Sequence, residues 1–120
     1  SSELVADHSR RLGREGTPRE IVQWLRPNSA RDILVRMSTN LFQSWIRRDR
    51  PQDALRNADR RVALRPAVPV FRRDRGLLRA QLGLRDPAVD DLGTYLGECP
   101  DAEDATRIRW QLSVLLSGRA

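Results

Sequence analysis

The sequence has little of the chemistry on which most enzymes and metal sites depend. It contains one cysteine, Cys99, which excludes an internal disulfide and a multi-cysteine zinc site. Its one histidine, His8, excludes most histidine-based metal centres. A catalytic cysteine–histidine pair would have to join residues from opposite ends of the chain. We therefore expect no catalytic residue, no metal and no cofactor, and we predict that this chain is not an enzyme.

Long hydrophobic runs are also absent. No apolar run approaches the roughly 18 residues that a membrane span requires, so we expect no membrane partner. Apolar residues make up 39% and aromatic residues 5% of the 120 residues, which allows one domain with a thin core. The first residues lack the basic and apolar regions of a signal peptide, and Ser1 is not an initiator methionine. We expect a cytoplasmic protein whose chain has been trimmed, processed or cut from a longer one.

Lysine is missing entirely, so all 22 basic residues are arginine. The arginines occur in every segment, which favours a coding bias over selection for guanidinium chemistry. Their balance with acidic residues is uneven, however. Residues 35–68 hold eight arginines against three acids, a local excess of +5 in a chain whose net charge is +6. This localised basic surface favours an acidic partner.

Capping residues and helix breakers divide the chain into helices. Thr17-Pro18-Arg19-Glu20 forms a capping box, which predicts a short helix ending at Leu25. From Ala30 to about Arg48, apolar residues recur at helical spacing and predict a long helix whose apolar stripe faces the core. The stripe consists of Ile33, Met37, Leu41 and Trp45, with Leu34, Phe42 and Ile46 beside it.

Four more helices are predicted, and no stretch alternates with the period of two that a strand requires. They run from Pro51 to Pro66, from Pro69 to Gly83 with Gly76 allowing a close approach, from an N-cap at Asp86 to Pro100, and from the acidic start at Asp101 and Asp104 to Gly118. The last helix should pack on the one before it through Ile108, Leu112 and Leu115 against Leu92, Tyr95 and Leu96. The predicted fold class is all-α.

The predicted helices recur with a 34-residue period. Positions 34 apart match in four pairs, which are Ala54 and Ala88, Leu55 and Val89, Val62 and Leu96, and Pro66 and Pro100. A helix–turn–helix unit of this length is typical of the tetratricopeptide repeat, and a helical bundle with chance spacing is the alternative. The sequence therefore predicts antiparallel helix pairs in two repeats, 35–68 and 69–102, followed by a C-terminal capping helix.

Two segments carry a more specific resemblance. RDRGLLRAQLG at residues 73–83 and PDAEDA at residues 100–105 resemble the C-terminal tetratricopeptide region of bacterial transglutaminase-like proteins of the SirB type. The resemblance covers Pro27 to Leu116. It implies a papain-like domain upstream, so that residues 1–27 would be a helical segment or linker from that domain and residues 28–120 the repeat domain. No catalytic residue of that family has a matching position here.

One polar helix face is a candidate binding site. Arg36, Asn40, Gln43 and Arg47 are spaced to form a single stripe on the long helix, and Arg73 would lie alongside in the second repeat. Tetratricopeptide arrays hold an extended peptide against such first-helix residues, and guanidiniums with amides suit a carboxylate. A solvated helix face with no ligand is the alternative.

We consider three functions from different classes. The first is a non-catalytic module that docks an acidic peptide or partner domain, such as an upstream transglutaminase-like domain, in the basic groove. The second is the C-terminal part of a transglutaminase-like enzyme. The third, ranked below both, is nucleic-acid binding through a basic surface, which has no recognition motif and is interrupted by acidic residues. That surface consists of Arg47, Arg48, Arg50, Arg56, Arg60, Arg61 and Arg65.

Overall fold

The computed structural model describes residues 27–118, and this part of the chain contains five helices and no strand. The all-α prediction is therefore confirmed. The helices are α1 Pro27–Arg47, α2 Pro51–Leu64, α3 Pro69–Gln81, α4 Arg85–Glu98 and α5 Ala105–Ser117. Within these residues no helix is long and apolar enough to cross a membrane. The short helix predicted from Thr17 to Leu25 lies outside the described residues.

The chain divides into two units, and of the described residues 27–37 belong to the first and 38–118 to the second. The α1 helix begins in the first unit and ends in the second. The packing described below is that of the second unit.

The backbone repeats with the period that the sequence predicts. The α2 helix begins and ends one period before α4, and α1 ends one period before α3. The turns between paired helices are equivalent as well, because Asp49 and Gly83 both have a positive φ, of 56° and 79°. The residue after each donates its N–H to the carbonyl five positions earlier, at 2.9 Å in both turns. The predicted helix pairs are therefore confirmed.

The first core cluster joins the second half of α1 to α2 and α3. Ala54 and Ala58 on α2 are buried together with Leu78 on α3. Phe42 and Trp45 on α1 pack against this group. The small alanines leave room for the two rings, so the helices can approach closely without a void. Ala54, Ala58 and Val62 therefore form the apolar part of the buried side of α2.

The second core cluster joins α4 to α5. Leu92 and Tyr95 on α4 are buried together with Ile108 on α5. The partly buried side chains around them include the predicted Leu96, Leu112 and Leu115. The α5 helix therefore covers the second repeat, which confirms the capping helix.

The apolar stripe predicted for α1 is partly wrong. Met37 and Leu41 were expected in the core, but they are exposed, with 47% and 43% of their surface accessible. Ser38 is buried instead, and Phe42 and Trp45 make the core contacts. Because α1 carries apolar residues on several sides, periodicity alone did not identify the side that meets its neighbours.

One predicted helix start differs from the structure, and another has an unpredicted side-chain arrangement. The α4 helix begins at Arg85, so Asp86 lies in its first turn instead of capping it. The α5 helix follows Asp104 as expected, but the Asp104 side chain caps no backbone N–H. Its carboxylate accepts hydrogen bonds from Tyr95 and Arg73 instead. These tertiary contacts use the oxygens that local capping would have needed.

The α3 and α4 helices approach each other closely at Gly76, as predicted. A Cβ atom on Gly76 would lie 2.9 Å from the Cβ of Asp91 and 2.9 Å from the Cδ2 of Leu92, so only glycine fits without a shift. In the first repeat, the position equivalent to Gly76 holds Phe42 on α1. The position equivalent to Leu92 holds Ala58 on α2. The large residue is therefore on the first helix of the first repeat and on the second helix of the second repeat.

Replacing Gly76 by alanine should destabilise the protein, because the new methyl group would overlap α4. We expect a loss of about 1–3 kcal/mol in the free energy of unfolding, measured by urea titration. Gly93→Ala on α4 is the matched control, since its Cβ would meet nothing within 4 Å. The free energy of unfolding of that control should rise by roughly 0.5–1 kcal/mol, because alanine lowers the backbone entropy of the unfolded chain. Equal or higher stability of Gly76→Ala would contradict the close approach.

Candidate functional site

Four of the five predicted binding residues lie on α1, and all four are exposed. They are Arg36, Asn40, Gln43 and Arg47. Arg36 belongs to the first unit and the other three to the second. Asn40, Gln43 and Arg47 are three and four positions apart, which places them on one face of the helix. The side chain of Arg47 makes no ion pair or hydrogen bond within the described part of the chain.

The fifth residue, Arg73 on α3, is half-buried and shared between two carboxylates. Its Nη1 lies 3.1 Å from the Oδ2 of Asp104, and its Nη2 lies 2.9 Å from the Oδ1 of Asp74. Its guanidinium carbon is 5.8 Å from the centroid of the Tyr95 ring. The positive charge of Arg73 is therefore already matched by acids of α3 and of the loop before α5.

Asp104 connects α4 to the start of α5 through Tyr95. The Tyr95 hydroxyl donates a hydrogen bond to the Asp104 Oδ1 at 2.5 Å. This bond, together with that from Arg73, holds the pKa of Asp104 below its ordinary value because both stabilise the carboxylate. The same bond raises the pKa of Tyr95, since a phenolate would face a second negative charge. Sequence spacing gave no sign of this contact.

Arg61 on α2 is a buried cation at the junction of three helices. Its guanidinium carbon lies 5.2 Å from the centroid of the Phe42 ring on α1 and 4.1 Å from that of the Phe71 ring on α3. Its Nη1 is 3.1 Å from the Oδ2 of Asp74. Aromatic faces and one carboxylate therefore replace water around the charge.

The basic surface proposed for nucleic-acid binding is not continuous. Arg61 is 6% exposed and faces the interior. Arg50 and Arg56 both pair with Asp53, at 2.9 and 2.5 Å. Arg48 lies over the Trp45 ring, 5.4 Å from its centroid. The local excess of positive charge is thus partly neutralised and partly buried, which disfavours phosphate binding there.

A second network clamps α4 through the buried carboxylate of Asp91. Arg75 binds it in a bidentate manner, with both nitrogen–oxygen distances at 2.8 Å. Arg79 adds a third hydrogen bond at 2.8 Å. Both arginines also approach Asp59 on α2, at 3.3 and 3.6 Å. This network therefore spans α2, α3 and α4.

The sequence contained a partial signal for this clamp. Arg75 and Arg79 occupy positions at which the family that residues 73–83 resemble usually has an apolar and an aromatic residue. Asp91 lies three positions after the buried Ala88, which places a carboxylate on the buried side of α4. A charged residue on a buried helix face requires a partner of opposite charge, which points to Arg75 and Arg79 as the partners of Asp91.

Among residues 27–118 no group of three or more histidines, cysteines, aspartates or glutamates could hold a metal ion. Cys99 is partly buried against the second core cluster. A polar depression at the α1–α2 turn is lined by side chains that include Arg50, Asp53 and Arg56, which pair with one another.

Paired antiparallel helices with a 34-residue period define this chain as a helical repeat protein. The model of the tetratricopeptide repeat family matches residues 41–113, more than half of the chain. The chain therefore belongs to the tetratricopeptide repeat family. A domain of this family is typically non-catalytic and binds other proteins.

Curated relatives extend the similarity. A UPF0162 protein of Xylella fastidiosa strain Temecula1 is 40% identical over 101 residues, which are 84% of this chain and 36% of that protein. The protein from strain 9a5c is 39% identical over the same length. The UPF0162 protein YchA of Escherichia coli K12 is 28% identical over 82 residues, 68% of this chain and 30% of its own. The chain spans about a third of these relatives, and no solved structure matches it. The link to transglutaminase-like proteins stays a prediction.

Replacing Asp104 by asparagine should remove a pH-dependent stabilisation. Because the folded pKa of Asp104 lies below its ordinary value, the carboxylate stabilises the fold above its unfolded pKa. That stability is lost as the pH falls through the folded pKa. We expect Asp104→Asn to melt below the wild type at neutral pH and to converge with it at strongly acidic pH, once the carboxylate is protonated in the folded state as well. Circular dichroism melts across this range measure the difference.

The exposed Asp101 provides the control for this experiment. Asp101→Asn removes a carboxylate from the same loop without touching Tyr95 or Arg73. Its melting temperature should follow that of the wild type at every pH. A deficit of Asp104→Asn that does not change with pH would contradict the role given to the ionised carboxylate.

Proposed function

We propose that this chain is a non-catalytic protein-interaction module that docks an acidic peptide segment on the exposed face of α1 formed by Asn40, Gln43 and Arg47. The proposal is carried by the state of the Arg47 side chain. Its guanidinium is exposed and has no carboxylate partner in residues 27–118, whereas Arg61 and Arg73 are both neutralised. An unpaired guanidinium can bind a carboxylate in a bidentate manner, and the two amides can bond a peptide backbone.

The two other predicted site residues have different parts in this proposal. Arg36 shares the helical spacing of the α1 face, but it lies in the first unit, so the proposal does not depend on it. Arg73 is engaged with Asp74 and Asp104. We assign Arg73 a positioning part, in which it holds α3 to the loop before α5 and is not an anchor for the ligand.

The proposal can be tested with a peptide library displayed on phage and selected on the immobilised chain. The wild type should enrich acidic sequences. Arg47→Glu should lose them, because the anchor would then repel carboxylates. The matched control is Arg60→Glu on α2, which makes the same charge change at another exposed arginine without an ion pair. Enrichment of the same peptides by Arg47→Glu, or of no acidic peptides by the wild type, would contradict the proposal.

A second function is the C-terminal part of a transglutaminase-like enzyme. It is supported by the resemblance of residues 73–83 and 100–105, and by the relatives' additional length, since the chain covers 36% of the Xylella protein. In this case residues 1–27 would lead from the upstream domain, and that domain would be the partner of the repeats.

This second function requires an assay on a whole relative. The full-length Xylella protein should incorporate a labelled amine into a glutamine-containing peptide, and cysteine alkylation should abolish the activity. A matched protein lacking only the part similar to this chain reports what the repeats contribute. Absence of incorporation by the intact protein would reject the enzymatic interpretation and leave the interaction module unaffected.

A further inference from the structure

The α5 helix caps the second repeat, but it also has the register of a repeat's first helix. Shifted back by one period, α5 coincides with residues 71–83, which contain most of α3. The inner faces correspond as well. Asp74 on α3 pairs with Arg61 of the preceding helix, and Ile108 on α5 packs with Tyr95 of the preceding helix. Each of these pairs joins the same two repeat positions, so α5 is built as the opening helix of a third unit.

The opposite face of α5 is exposed within the described residues. In α3 the equivalent face carries Gly76 and Arg75, which meet α4. In α5 those positions are Trp110 and Arg109, and both are exposed. Trp110 is 64% exposed, more than the other large apolar residues of this unit. Burying an indole of this size would be a major source of binding energy.

The two complete repeats specify what would fit against this face. In the first repeat, the large Phe42 of the first helix faces the small Ala58 of the second helix. In the second repeat, Gly76 of the first helix faces the large Leu92 of the second helix. Trp110 is large, so its partner must be small. Size is therefore one criterion for the occupant.

Charge is the other criterion. Arg75 binds the carboxylate of Asp91, which directly precedes Leu92 on α4. Arg109 stands at the position of Arg75, and its Nη2 now contacts only the Pro100 carbonyl oxygen, at 2.7 Å. A helix presenting a carboxylate at the Asp91 position would give Arg109 the ionic partner that Arg75 already has.

We propose that the face of α5 formed by Arg109, Trp110 and Ser113 docks an amphipathic helix of a partner protein. That helix carries an aspartate or glutamate followed directly by alanine or glycine. The acid pairs with Arg109, and the small residue accommodates the indole. This surface is distinct from the α1 face, so it adds a second contact to the interaction module and does not depend on the first.

The test uses a probe made from the chain's own α4. A labelled peptide of residues 85–98 carrying Leu92→Ala presents Asp91 followed by a small residue, while the unmodified peptide presents the same acid followed by leucine. A staple between the exposed positions Asp90 and Thr94 maintains the helix, because a free peptide this short would be largely unfolded. Fluorescence anisotropy measures binding to the full chain.

The wild type should bind the Leu92→Ala peptide about tenfold more tightly than the unmodified one. Trp110→Ala should remove this preference, because without the indole the facing residue no longer has to be small. Arg109→Glu should weaken both peptides, and a peptide with Asp91→Arg should recover binding to that variant. Arg47→Glu should bind both peptides as the wild type does, which separates this result from the α1 proposal.

Several outcomes would overturn the inference. Absence of binding of either peptide at millimolar concentration would do so, as would equal affinities that do not respond to Trp110→Ala. Dimerisation of the wild type that Trp110→Ala abolishes would assign the face to a second copy of the chain. Sedimentation velocity on the unliganded chain distinguishes that case.

Discussion

The packing of the last three helices depends on the buried carboxylate of Asp91. A carboxylate that is only 4% exposed is costly unless it is paired and hydrogen-bonded. Arg75 and Arg79, one helical turn apart on α3, meet that requirement and fix α4 against α3. The fit is possible because Gly76 adds no side chain at the contact. With α4 in this position, its Tyr95 reaches Asp104 in the loop that precedes α5.

The two repeats share a backbone but differ in the chemistry that joins them. The same pair of positions is ionic between Arg61 and Asp74 and apolar between Tyr95 and Ile108. The exchange of large and small residues at the helix contacts follows the same principle. What is kept is the position of the helices within the repeat, and several combinations of side chains are compatible with it. A chain rich in arginine can therefore adopt this fold with polar contacts where apolar ones would be usual.

Local signals predicted most of the fold. Prolines, turn residues and apolar spacing were sufficient for the helices and their repeat period, and Gly76 indicated the close approach of two helices. The sequence failed where several faces of one helix were equally apolar, so Met37 and Leu41 were assigned to the core. It also failed for long-range pairs such as Arg73 with Asp104, which are far apart in the chain. Their partner choice depends on tertiary geometry that no local pattern encodes.

The extensive helix contacts, α2 with α3, α3 with α4 and α4 with α5, all join elements that follow one another in the chain. Such a topology has a low contact order, because each contact closes a short loop. The search for native pairings is then brief, and each helix can add to the one before it. For this region we expect rapid folding, with little time spent as an exposed, aggregation-prone intermediate.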